Sequence, residues 1–197
     1  IPWKGAFGMW AVLNRARNNG VPVTNPEWLS SVTVEEFEDL TEPTGVALPH
    51  IETRVQNLNQ LGDYMQSTGV QTFQEVFESY DTLCGGFVDN LTSQCPAYQD
   101  ERTYNGETVQ FNKRVQLAVT MVYDRLHYHS DVEWATFDDM DSLTIFADYG
   151  IPAYLNTVGA IEYTPELSDT IENNEEIPED SPEEVEIRIA TVKVGSL

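Results

Sequence analysis

Apolar residues at helical spacing constrain this chain more than any other feature. Ile51, Val55, Leu58, Leu61 and Met65 recur at steps of three and four, and Gly69 follows as a helix-ending residue. Phe111, Val115, Val119, Val122 and Leu126 repeat the pattern, and Phe73, Val76, Phe77 and Tyr80 form a third stripe. Side chains at this period share one face of a helix, and that face must be buried against another element. Hydrophobic residues make up 41% of the 197, enough for a sizeable core. The fold class expected is mainly α: one helical domain over residues 1–197 with at most one short β-hairpin.

Local signals mark where the helices begin. Thr33 with Glu36, Thr72 with Glu75, and Ser181 with Glu184 have the spacing of capping boxes. Pro26 after Asn25 and Pro165 after Thr164 suit first helical positions. Asn105-Gly106 in "TYNGET" suits a two-residue hairpin turn. The stretch "EVEIRIATVKV" is ambiguous, since its β-branched residues favour a strand. The box at Ser181, with Pro182 after it, favours a helix, and helix is the reading taken. Residues 172–186 hold eight acids and two prolines and read as a solvated connection.

Charge limits the partners. The chain carries 33 acids against 10 bases, a net charge of −23, with lysines only at Lys4, Lys113 and Lys193. Such a field repels nucleic-acid polymers and anionic membrane surfaces, whereas one small anion in a local basic pocket remains compatible with it. The acidic, lysine-poor composition fits a salt-rich source, where self-repulsion is screened. No apolar run approaches the roughly 18 residues of a membrane span, and no signal peptide is visible. Cys84 and Cys95 read as buried thiols rather than a disulfide framework. The expected location is the cytoplasm.

Few residues offer chemistry. The chain has no Walker loop, no dinucleotide fingerprint and no nucleophile elbow. His127, His129 and Asp131 lie too close together along one turn to converge on a metal, so neither metal nor cofactor is expected. Lys113 and Arg114 are adjacent cations at the start of an apolar helix, suited to a phosphate or to pairing with nearby acids. Asp148 is the sharpest feature. It lies between Phe146 and Tyr149 in "DSLTIFADYGIP", where flanking rings offer a flat base a stacking surface. A helix is expected from about Asp141 to the break at Gly150 to Pro152. That places Asp148 at the negative end of the helix dipole, and an acid kept there suggests a role beyond capping. Asp139 or Asp141 is expected to cap the same helix.

These residues fall in blocks that resemble the queuosine salvage protein family, the queuosine 5′-phosphate N-glycosylases. The family's W-x-G and I-N-R-A-L blocks compare with "WKGAFGMWAVLNRAR", matching at Trp3, Gly5, Asn14, Arg15 and Ala16. Its I-P-I-T-D-P compares with "VPVTNP", its F-P-x-F-x-D-E with "CPAYQDE" at Asp100 and Glu101, and its F-Y-K-R-A-Q with "FNKRVQ". Its D-I-D-x-L-T-M-F-A-D-Y-R-V-P-Q compares with "DMDSLTIFADYGIP", and its E-V-E-I-R with Glu184 to Arg188. The blocks run in order along nearly the whole chain.

The resemblance implies a helical fold similar to DNA glycosylases. It implies hydrolysis of the N-glycosidic bond of queuosine 5′-monophosphate, with release of queuine for reuse in transfer RNA. Under it Asp148 is the catalytic carboxylate, Phe146 and Tyr149 shape the base pocket, and Lys113 and Arg114 lie near the phosphate. The partner is then one small nucleotide. The chain departs from the pattern at Gly150 and Ala153, where the family has Arg and Gln, and at Val115, where it has Ala. It starts at Ile1 and stops at Leu197, and is expected to lack N- and C-terminal family segments. Two other readings stay open: a nucleotide- or deazapurine-binding protein on the same scaffold that has lost catalysis, and a helical interaction domain.

Overall fold

The computed structural model describes residues 5–41, 48–80, 84–129 and 131–196. They are helical apart from one two-stranded antiparallel hairpin and irregular connections. The chain divides into two compact units: residues 1–80 with 93–97, and residues 81–92 with 98–197.

The first unit contains α1 (Gly5–Asn18), α2 (Pro26–Ser31), α3 (Val34–Thr41), α4 (Ile51–Thr68) and α5 (Phe73–Glu78). The stripe on α4 is its core face: Val55, Leu58 and Met65 are buried, and Gly69 closes the helix at φ 79°. α2 lies directly on α4. A Cβ built on Gly62 would stand 2.2 Å from the Ser30 nitrogen, so only glycine allows that approach. Asn59 donates from the next turn to the Leu29 and Val32 carbonyls, 2.9 and 3.0 Å away, which satisfies the end of α2. The capping residues act as their spacing predicts. Asn25 accepts the Trp28 N–H, and Thr33 and Glu36 exchange a reciprocal box. Thr72 accepts the Glu75 N–H, while the Glu75 carboxylate reaches one residue further back, to the Gln71 N–H. Cys95 is a buried free thiol. The Cys84 side chain lies outside the described residues.

The second unit holds most of α6 (Cys84–Gln94), the hairpin β1 (Glu101–Tyr104) and β2 (Glu107–Gln110), α7 (Lys113–Leu126), α8 (Gly150–Thr157), α9 (Pro165–Glu172) and α10 (Pro182–Gly195). Glu101 pairs with Gln110 and Tyr104 with Glu107, around Asn105 and Gly106 at φ 51° and 83°. Those two angles are the left-handed pair a two-residue hairpin turn requires. The ambiguous stretch is helical: Ser181 accepts the Glu184 N–H and starts α10. The acidic connection therefore ends at Ser181, and Pro182 to Glu186 form the first turns of α10 rather than a solvated link. Phe111, Ala147 and Val185 form one buried cluster, ringed by Tyr104, Val109, Ile189 and Val192. No helix among the described residues is long and apolar enough to cross a membrane.

The helix expected from Asp141 to Tyr149 does not form. Met140–Ser142 is a single 3-10 turn, Leu143 is extended at φ −71° and ψ 144°, and the chain runs irregularly to Ala147. Tertiary hydrogen bonds take the place of the helical ones. The Gln116 side chain accepts the Thr144 N–H at 2.7 Å and donates to the Thr144 hydroxyl at 3.1 Å. Asp139 precedes that short turn and accepts the Ser142 N–H through its carbonyl at 2.8 Å, but its carboxylate caps no backbone N–H of the turn. Its carboxylate accepts the Gly85 N–H at 3.1 Å, in the first turn of α6.

Candidate active site

The site is built where the start of α7 meets the segment before α8. β2 delivers the chain to Asn112, which turns it into α7 at φ 51°, a conformation Asn tolerates better than most residues. Asp100 holds this corner from the other end of the hairpin. Its carbonyl accepts the Phe111 and Asn112 N–H groups at 2.8 and 3.3 Å, and its carboxylate accepts the Lys113 N–H at 3.0 Å. The first N–H of α7, that of Lys113, is thus satisfied by a residue thirteen positions upstream.

Asp148 stands on the N-terminal side of α8, which corrects the expectation that it ends a preceding helix. Its Oδ1 accepts the Gly150 N–H at 2.8 Å and the Ile151 N–H at 3.2 Å. The α8 dipole therefore favours the carboxylate instead of opposing it. Its Oδ2 faces the Lys113 Nζ at 3.6 Å. That is an ion pair, longer than a direct hydrogen bond. Each side chain keeps 28% of its surface exposed, so both groups are open to a ligand.

The remaining residues singled out in the sequence divide. Lys113 comes to Asp148 although 35 positions separate them. Arg114 leaves in another direction, because neighbouring residues on a helix point about 100° apart, and donates to the Gln99 carbonyl at 3.0 Å. Phe146 is half-buried. Tyr149 is 91% exposed, its ring open to solvent.

Three buried polar side chains lie directly behind the pair. Arg188 on α10 donates to the Asp100 carboxylate at 2.6 Å and, through Nε, to the Ala147 carbonyl at 3.2 Å, and it stacks 3.9 Å over the Phe111 ring. Gln116 donates to the Phe111 carbonyl at 2.8 Å while it holds Thr144. Burial alone would raise the Asp100 carboxyl, but the Arg188 guanidinium and the Lys113 N–H outweigh it and hold the group below the ordinary carboxylate range. Asp100, Gln116 and Arg188 each fall inside the sequence blocks that carry the resemblance. Within a block, nothing distinguishes a buried tie from a solvated charge until its partner is known.

The chain is similar to known proteins along most of its length. The chain is 35% identical to a queuosine 5′-phosphate N-glycosylase/hydrolase from Sphaerobacter thermophilus, over 98% of this chain and 60% of that protein. It is 29% identical to a protein of the same description from Mus musculus, over 95% of this chain and 55% of the relative. A third, from Dictyostelium discoideum, is 34% identical over 76% of this chain and 46% of its own length. The chain therefore spans about half to three fifths of the length of the curated relatives it matches. The model of the queuosine salvage proteins matches residues 2–196. By that match, this chain belongs to the queuosine salvage protein family.

Proposed function

We propose that this chain hydrolyses the N-glycosidic bond of queuosine 5′-phosphate, with Asp148 as the catalytic carboxylate. The observation that carries the reading is the division of Asp148's two oxygens. Oδ1 is fixed by two backbone N–H groups, and Oδ2 lies beside a cation on a partly exposed side chain. Cleavage of an N-glycoside develops positive charge on the sugar, and an immobilised carboxylate oxygen stabilises it or orients the attacking water. In the balanced step, water adds its oxygen to the anomeric carbon and the carbon–nitrogen bond breaks. The bonding pair leaves with the base, and the water's surplus proton passes to the departing nitrogen by way of the carboxylate. Lys113 supplies positive charge for the 5′-phosphate. Arg114, turned to the Gln99 carbonyl, contributes less. Tyr149 and Phe146 offer ring faces to the base. The relatives that carry this activity in their description align along the same chain.

The partner is one nucleotide rather than a nucleic-acid polymer, in keeping with a net charge of −23, and the setting is the cytoplasm. The test incubates the chain with queuosine 5′-monophosphate and separates free base from nucleotide by chromatography. Release by the native chain, with a fall of roughly a hundredfold or more in Asp148→Asn, the scale of losing one electrostatic stabiliser, is the expected result. Undiminished turnover by Asp148→Asn removes Asp148 from the role. Binding without release assigns the chain to ligand capture instead.

A further inference from the structure

We infer that the buried Asp100–Arg188 pair is a positioning device that sets the alignment of Lys113 against Asp148. One carboxylate oxygen carries both halves of the arrangement. Asp100 Oδ2 accepts the backbone N–H of Lys113 at 3.0 Å and the Arg188 guanidinium at 2.6 Å. The same guanidinium donates to the carbonyl of Ala147, the residue before Asp148, at 3.2 Å. The start of α7 and the segment before α8 are thus referred to one atom, through two hydrogen bonds on one side and one on the other. Both side chains are almost fully buried, Asp100 at 9% exposed and Arg188 at 10%, so water competes little for these bonds.

The chemistry of the pair suits alignment better than stability. A buried ion pair is poor evidence for stability, because its desolvation cancels much of its attraction. What a guanidinium adds over an apolar side chain is fixed direction, since its planar fork meets a carboxylate and a carbonyl at set angles. Lysine in its place keeps the charge and reaches one acceptor well, but lacks that fork. The Lys113–Asp148 contact at 3.6 Å is loose and half-exposed. It does not fix its own geometry, and the backbone beneath it must do so.

Two variants separate alignment from folding. Arg188→Lys keeps the charge. The double variant Asp100→Asn with Arg188→Met removes both charges and keeps volume, an exchange that is often neutral for stability. Its Asn still accepts the Lys113 N–H, whereas the Ala147 carbonyl loses its donor. The first readout does not depend on catalysis: carbodiimide coupling joins a carboxylate and an amine only when they touch. With three lysines in the chain, the Lys113–Asp148 link is readily identified by mass spectrometry. The expected result is loss of that link in both variants with the cooperative thermal transition retained. The second readout rests on the glycosylase reading: kcat for queuosine 5′-monophosphate falls roughly tenfold to a hundredfold, the scale of a misplacement near 1 Å, while KM stays within a few-fold. A link and a kcat unchanged in both variants overturn the inference. Loss of the cooperative transition in both also overturns it, because the pair then determines the fold rather than the alignment. If the native chain shows no turnover, the glycosylase reading fails and the coupling experiment decides alone.

Discussion

Asp148 serves two ends of one residue's chemistry, and substitutions tell them apart. Oδ1 satisfies two donors at the start of α8, a task Asn performs about as well as Asp. Asp148→Asn is therefore expected to change stability by less than about 1 kcal/mol, since the half-exposed contact with Lys113 contributes little. Asp148→Ala removes the acceptor and should cost about 1 kcal/mol, measured by urea unfolding. Asp100 makes a different prediction. Its folded pKa lies below the ordinary value, so the unfolded chain binds its proton first as pH falls. The stability it contributes is complete above about pH 4, the unfolded value, and is lost as pH drops through the lower folded value. Between pH 5 and pH 2 the native chain should lose stability more steeply than the Asp100→Asn, Arg188→Met double variant. Equal slopes in urea unfolding would show that Asp100 is not held ionised by its partner.

Helices α4 and α7 carry the predictions that belong to elements. Alanine is the better helix former, by roughly 1 kcal/mol over glycine, so Gly62→Ala should stabilise α4 taken alone. In the folded chain the new methyl meets the Ser30 and Leu29 backbone at 2.2 to 2.7 Å, and backbone yields less readily than a side chain. Net destabilisation of about 1–3 kcal/mol is expected from such overpacking. A rise in the melting temperature would mean that α2 does not lie so close. On α7, Val119 is fully buried. Val119→Asp places an unpaired charge there and should destabilise the chain by several kcal/mol. A soluble variant of native stability would show the stripe to be exposed. The capping residues of α2, α3, α5, α9 and α10 are legible in the amino-acid sequence, because a cap is a contact between residues three apart.

At the scale of the molecule, charge dominates. With 33 acids and 10 bases the chain repels itself at low ionic strength, and added salt screens that repulsion within a Debye length of about 10 Å at 0.1 M. The melting temperature is expected to rise from low to molar potassium chloride. A flat or falling series would remove the case for a salt-adapted surface. The cations present are placed against this background. Arg102 meets Glu179, Asp180 and Glu184 together, and Arg188 meets Asp100 and Glu184. A scarce guanidinium among many carboxylates thus gathers several at once and fastens the hairpin and the start of α10.

What the sequence by itself determined follows from short range. Apolar spacing, caps and the Asn-Gly turn act within a few residues, and they sufficed for α2, α3, α4, α5, α7, α9, the hairpin and the helical reading of α10, but not for α8, which starts at Gly150 where a break was expected. The ordered blocks also sufficed for the family. Only the tertiary structure decided the form of residues 141–149. Their apolar pattern is that of a helix, yet the Gln116 amide holds Thr144 and the Arg188 guanidinium holds Ala147. Those partners lie 28 and 41 positions away, beyond the reach of any local pattern. The same distant bonds set Asp148 at the start of α8 rather than at the end of another helix. That reverses the sign of the dipole it feels and turns its second oxygen toward Lys113.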